Sequence, residues 1–114
     1  MRPVSPKVRE AVLARKEVCQ RRALLHDHDC QGRLTWEHAL TYAGRQVDEA
    51  FAIVKICAWA HDVDEFQDGG NLNKEKNQLC ALMQATEQDF ARYPRAGWSA
   101  RLAYLTGKYL GKTL

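Results

Sequence analysis

Two segments decide the fold: Cys30-Gln31-Gly32-Arg33-Leu34-Thr35-Trp36-Glu37-His38 and, further on, Lys55-Ile56-Cys57-Ala58-Trp59-Ala60-His61. The first sets a carboxylate beside an imidazole, the second a thiol four residues from another imidazole. Thr35 and Trp36 favour extended backbone, so residues 33–37 are expected as a strand. Residues 51–56 are apolar and β-branched; that pattern fits a second strand or the edge of a buried helix, and periodicity does not separate the two. Between them, residues 41–46 read as a turn or loop, with Gly44 supplying the turn. Residues 57–61 predict the first turn of a short helix, because positions i and i+4 then share a face.

Working outward, Ser5-Pro6 is a helix start, with serine as cap and proline at the first helical position. Val8, Val12 and Leu13 follow with helical spacing, which predicts a helix over 6–18 that delivers Cys19 at its end. Residues 20–31 are polar and read as irregular; they hold His26, Asp27, His28, Asp29 and Cys30. Residues 62–71 read as a solvated acidic loop, since Asp62, Asp64 and Asp68 do not complete a calcium-loop pattern. Asn73 is expected to cap a helix running to about 85, with Leu79, Leu82 and Met83 on its apolar side and Cys80 in the core. Thr86-Glu87-Gln88-Asp89 resembles a capping box with Asp in the last place, and Tyr93-Pro94 ends that helix. Leu102, Leu105 and Tyr109 place a last helix over 98–110. The expected class is α+β, mostly helical, with one small hairpin.

At 114 residues the chain is expected to form a single domain. Its apolar share of 46% is that of a globular protein. The first residues lack the apolar core of a signal peptide and no run is long enough to span a bilayer, which predicts a cytoplasmic protein without a membrane partner. In that compartment the four cysteines are expected as ligands or buried thiols rather than disulfides. The net charge of +3 is unevenly spread. Residues 1–25 carry seven basic and two acidic side chains, residues 26–90 five and twelve, and residues 91–114 five and none. An acidic centre suits a divalent cation and basic flanks suit a polyanion lying across it; solvated charged termini give the same counts.

Cys19, Cys30 and Cys57, with His61 or a histidine of the 26–28 loop, are enough donors for a tetrahedral zinc site. No Cys-x2-Cys pair is present, and small buried thiols are the competing reading. In the Glu37-His38 pair, a neutral imidazole can take a proton from water near neutral pH. The two side chains leave a regular strand on opposite faces, so they reach one centre only where the backbone turns between them. A satisfied surface pair is the plainer reading of these two residues alone. Tyr42, Trp59 and Trp98 read as base-stacking platforms or, for both tryptophans, as core. Arg92, Arg95 and Arg101 are candidate contacts to a nucleic-acid backbone, and solvated helix faces would look the same.

Cys30-x-Gly32-x-x-Thr35-Trp36-Glu37-His38, the Gly-containing loop, the run Ala52-Ile53-Val54-Lys55-Ile56-Cys57 and then His61 together resemble the HNH endonuclease superfamily. More narrowly, they are similar to small phage-type HNH-like proteins, over about 19–95. The resemblance implies a ββα-metal fold, two strands and a helix around one divalent cation, flanked by N- and C-terminal helices. It implies His38 as general base, Glu37 as the adjacent acid and metal ligand, and His61 as the final metal ligand, with Mg2+ or Mn2+ as cofactor. Where members of the family carry zinc-knuckle pairs, Arg22 and Ala60 stand here in place of the second cysteines. A structural zinc would then need Cys30 or a loop histidine. The central Asn of the pattern falls near Ala52, with Asp48 the nearest polar candidate. The resemblance therefore implies a metal-dependent endonuclease acting on DNA, in the host cytoplasm if phage-encoded. The alternative is a non-catalytic nucleic-acid- or protein-binding module on a decayed scaffold of that type.

Overall fold

The computed structural model describes residues 4–63 and 71–111, which form an α+β fold with two small antiparallel sheets. The elements are α1 (Pro6–Leu13), α2 (Gln20–Leu25), β1 (Leu34–His38), β2 (Thr41–Tyr42), β3 (Arg45–Gln46), a 3-10 turn (Ala50–Ala52), β4 (Ile53–Cys57), a π-helical turn (Trp59–Val63), α3 (Asn71–Gln84), α4 (Glu87–Ala91) and α5 (Trp98–Leu110).

The pair β1–β4 is the centre. Its antiparallel register runs from Leu34 opposite Cys57 to His38 opposite Ile53. It continues one step further, where the Ala39 N–H donates to the Ala52 carbonyl at 2.8 Å. Every residue of β4 is buried, so both of its faces are covered. Residues 51–56 thus resolve into the 3-10 turn followed by a strand. Between β1 and β4 a second hairpin, β2–β3, closes over Ala43-Gly44, both at positive φ (52° and 78°). That is the two-residue turn whose twist matches its strands. The region expected as a plain turn or loop is therefore a nested hairpin.

Five sequence expectations are corrected. Helix α1 stops at Leu13, not near residue 18, and Leu13 itself is exposed. The reason lies in β4. Lys55 is fully buried, and its ammonium donates to the Arg15 carbonyl at 3.1 Å and pairs with Glu17. A buried cation needs those oxygens, and it takes a carbonyl that a continuing helix would have used. Residues 20–25, expected to be irregular, form α2, with Cys19 as its N-cap residue and buried Arg21 facing inward. Cys57 closes β4 and does not open a helix; the turn carrying His61 begins at Trp59, so the two side chains do not share a helical face. Helix α3 begins at Asn71, which puts Asn73 inside it, and Met83 is exposed and not on the apolar side. The expected acidic loop lies for the most part outside the described residues.

Other expectations hold. Thr86 and Asp89 make the reciprocal capping box of α4, and α5 spans Trp98–Leu110. Cys80 is buried among Leu79, Ala81 and Leu82. Trp98 is core as well, in an aromatic cluster with Tyr42, Phe51 and Tyr93 at centroid distances of 4.9 to 6.3 Å. Tyr42 belongs to that cluster and so is not an open platform. Among the described residues no helix is long and apolar enough to cross a membrane.

Candidate metal centre and adjoining cleft

The start of α2, the loop after it and the end of β4 converge on one point. Cys19, His28, Cys30 and Cys57 each bring a donor atom there, all within 4.8 Å of one another. His28 Nε2 lies 3.7 Å from the Cys19 Sγ, 3.7 Å from the Cys30 Sγ and 3.3 Å from the Cys57 Sγ. A tetrahedron with arms of about 2.0–2.3 Å, as zinc makes with nitrogen and sulfur, has edges of roughly 3.3–3.8 Å. The group could hold a metal ion, and its donor set is one that structural zinc takes.

The sequence supplies what orients these donors. The Asp27 carboxylate sits 2.8 Å from His28 Nδ1. With the proton on Nδ1 donated to Asp27, the lone pair of Nε2 faces the three sulfurs. The other Asp27 oxygen takes hydrogen bonds from Arg21 Nη2 (2.7 Å), Arg21 Nε (2.9 Å) and Lys76 Nζ (3.1 Å). Burial works to raise the Asp27 pKa, but His28, Arg21 and Lys76 outweigh it and hold the carboxyl well below the usual carboxylate range. The loop is brought close by Gly32, at φ 80°; a Cβ there would stand 2.8 Å from that of Ala58. Two backbone bonds then lock it, Ala58 N–H to the Arg33 carbonyl and Trp59 N–H to the Gln31 carbonyl. Trp59 stacks on the His28 ring at 5.1 Å and 18° and also packs against the core, so this tryptophan supports both.

The thiols do not share one character. Burial raises that of Cys30, and the neighbouring Cys19 and Cys57 raise it further, to about 12. Burial also works to raise Cys57, but the backbone at Ala60 and Gln31 and the His28 side chain outweigh it and bring it to about 7.

The second feature adjoins the far end of β1. The Glu37 Oε2 lies 2.6 Å from His61 Nε2, joining β1 to the π-helical turn. His38 is buried, at 6% exposure, and lines with Glu37 a cavity of about 270 Å3 whose other walls are Ala39, Thr41, Lys74, Asn77 and Gln78. The register through His38 is unbroken, so Glu37 and His38 leave the strand on alternate sides as a regular strand requires.

The residues singled out in the sequence are thus gathered in two places. Cys19, Cys30 and Cys57 meet, and the fourth donor is His28, not His61. Neither Arg22 nor Ala60 takes part; His28 and Cys30 complete the set instead. Glu37 and His61 meet, and Glu37 shares the cavity wall with His38. Asp48 is exposed and lines a different hollow, together with Ser5, Lys7 and Arg92. Ala52 is fully buried. Of the three arginines, Arg92 is paired with Glu49 and Asp89, Arg101 lies 3.5 Å from Glu75, and Arg95 is exposed. Sequence reasoning missed Asp27 as the support of the histidine, although Asp-His-x-Cys is a compact run of donors. It also missed Lys74, Asn77 and Gln78, which form a polar i, i+3, i+4 stripe on a helix that was read only for its apolar side.

No protein-family model, no curated protein and no solved structure matches the chain.

Proposed function

We propose that the chain is a zinc-stabilised, metal-dependent phosphodiesterase of the HNH type that acts on DNA. The observation that carries the reading is the Glu37–His61 contact at 2.6 Å. A carboxylate on one strand and an imidazole just past its partner strand come together, and Glu37 also shares a cavity wall with the buried His38. A carboxylate and an imidazole are a donor set that Mg2+, Mn2+ or Ni2+ accepts. Glu37 and His61 would hold the cation, which when bound would supply charge stabilisation to a phosphate oxygen. His38 takes the proton from the attacking water. Lys74 gives the cavity a cation for a non-bridging phosphate oxygen. The Cys19, His28, Cys30 and Cys57 group is read as a structural zinc site with every position filled by protein, which leaves that ion no role in the chemistry.

The test is cleavage of plasmid and of single-stranded DNA with Mg2+, Mn2+ or Ni2+ added to zinc-loaded protein. Nicking that needs the added metal and is abolished by His38→Ala and by His61→Ala supports the reading. Absence of cleavage with every metal rejects it.

One set of observations favours a second reading, a binding module on the same scaffold without catalysis. Ala52 stands where the resemblance places an Asn, and β1 does not turn between Glu37 and His38. This reading expects salt-sensitive DNA binding that survives His38→Ala, with no cleavage.

A further inference from the structure

The cavity beside His38 does not end at α3. Thr41 and Gln78 also line a second hollow of about 410 Å3, whose walls include Leu40, Gly97, Trp98, Arg101 and Tyr104. The two hollows adjoin at Thr41 and Gln78, and together their walls reach from the end of β1 past α3 to α5.

The outer end carries Tyr104, 53% exposed, more than any other large apolar side chain among the described residues. Two cations lie against this ring, the Arg101 guanidinium at 5.4 Å and the Lys108 ammonium at 5.8 Å from its centroid. Both cations also share the Glu75 carboxylate, at 3.5 and 2.7 Å, so one positive charge of the trio is left uncompensated. At the inner end the Asn77 Oδ1 is buried with no hydrogen-bond partner among the described residues, on a residue 8% exposed. A buried carbonyl without a donor loses its hydration for nothing unless a ligand provides one. A half-exposed aromatic ring accompanied by cations, with an unmatched acceptor in the adjoining cavity, suits a ligand that alternates flat rings with anions and carries N–H or O–H groups.

We propose that these adjoining hollows bind single-stranded nucleic acid. One base stacks on Tyr104, and its phosphate is drawn to Arg101 and Lys108. The strand runs past Thr41 and Gln78 into the cavity beside His38, where Asn77 accepts a hydrogen bond from it. Stacking on an exposed ring requires an unpaired base, which sets a single strand apart from a duplex. The proposal deepens the nuclease reading by naming its substrate form, and it rests on nucleic acid being the ligand.

The experiment is fluorescence anisotropy of a labelled oligothymidylate, with zinc-loaded protein and no added Mg2+ or Mn2+. The expected result is binding that Tyr104→Ala weakens about tenfold and Tyr104→Phe preserves, since the ring and not the hydroxyl does the stacking. A hairpin duplex is expected to bind more weakly and to ignore both substitutions. Equal affinity of the parent and Tyr104→Ala proteins overturns the proposal. So does preference for the duplex, or displacement of the oligonucleotide by polyglutamate as readily as by unlabelled oligothymidylate. Tyr104-dependent binding without cleavage under any metal leaves this proposal standing and removes the nuclease; cleavage with Tyr104-independent binding does the reverse.

Discussion

His28 shows what a single residue contributes and how it was hidden. Three thiols were visible as donors from the sequence, and a histidine of the 26–28 loop was one of two ways to complete them. Choosing His28 over His26 required knowing that α2 ends at Leu25 and that His26 takes a left-handed backbone at its cap, exposed and directed to Arg22. Only then do Asp27 and His28 face inward. His28→Ala is therefore expected to reduce bound zinc from one ion per chain to a small fraction, and His26→Ala to leave it unchanged, by elemental analysis of protein purified without chelator. The Asp27 carboxylate acts through the imidazole. Asp27→Asn should keep the fold and weaken zinc affinity roughly 10- to 100-fold, as loss of an outer carboxylate does at other histidine-ligated metals. Competition with a chromophoric chelator measures it; unchanged affinity would show that Asp27 serves only Arg21 and Lys76.

At the scale of elements, legibility followed how local the cause was. The capping box of α4 depends on Thr86 and Asp89 alone, and it could be read directly. Thr86→Ala is expected to cost about 1 kcal/mol in chemical denaturation. The end of α1 was not legible, because a buried lysine some forty residues away takes the carbonyl of Arg15. The docking of α5 on α3 was equally invisible. It uses Glu75, which accepts from Lys108 at 2.7 Å and from the Tyr109 hydroxyl at 2.6 Å. The hydrogen bonds from Lys108 and Tyr109 hold the Glu75 carboxyl below its ordinary range, and nearby Arg101 adds to them. A depressed acid contributes stability above its unfolded-state pKa, and that contribution is lost as pH falls through the folded-state value. Glu75→Gln should thus be less stable than the parent near neutrality, by up to about 1 kcal/mol given its partial solvent screening. The gap should close as the pH drops below about 4. Denaturation of both proteins across that range tests it, and a gap that persists at the acid end would assign the effect to packing.

For the molecule as a whole, the Cys19, His28, Cys30 and Cys57 group and the Glu37–His61 pair have opposite relations to folding. The Cys19, His28, Cys30 and Cys57 donors come from the cap of α2, the loop before β1 and the last residue of the buried strand β4. That loop has few apolar side chains of its own; Gly32, two backbone bonds and the stacked Trp59 hold it. Without a cation, three sulfurs and an imidazole crowd one small space. An ion that binds only the folded chain adds RT ln(1 + [L]/Kd), about 2.7 kcal/mol at a hundredfold excess over Kd. For a chain of this size that is roughly 10 °C in Tm. Glu37 and His61 already touch, each is about 30% exposed, and strand pairing holds β1 in place whether or not an ion lies between them. Stripping all divalent ions should accordingly lower Tm by around 10 °C. Zinc added back at a stoichiometric level should restore it, while excess Mg2+ should restore nothing, because thiolates do not hold a hard cation. Recovery of Tm with Mg2+ alone would mean that the thiols are ordinary core and that the Glu37–His61 end of the sheet is what a metal stabilises.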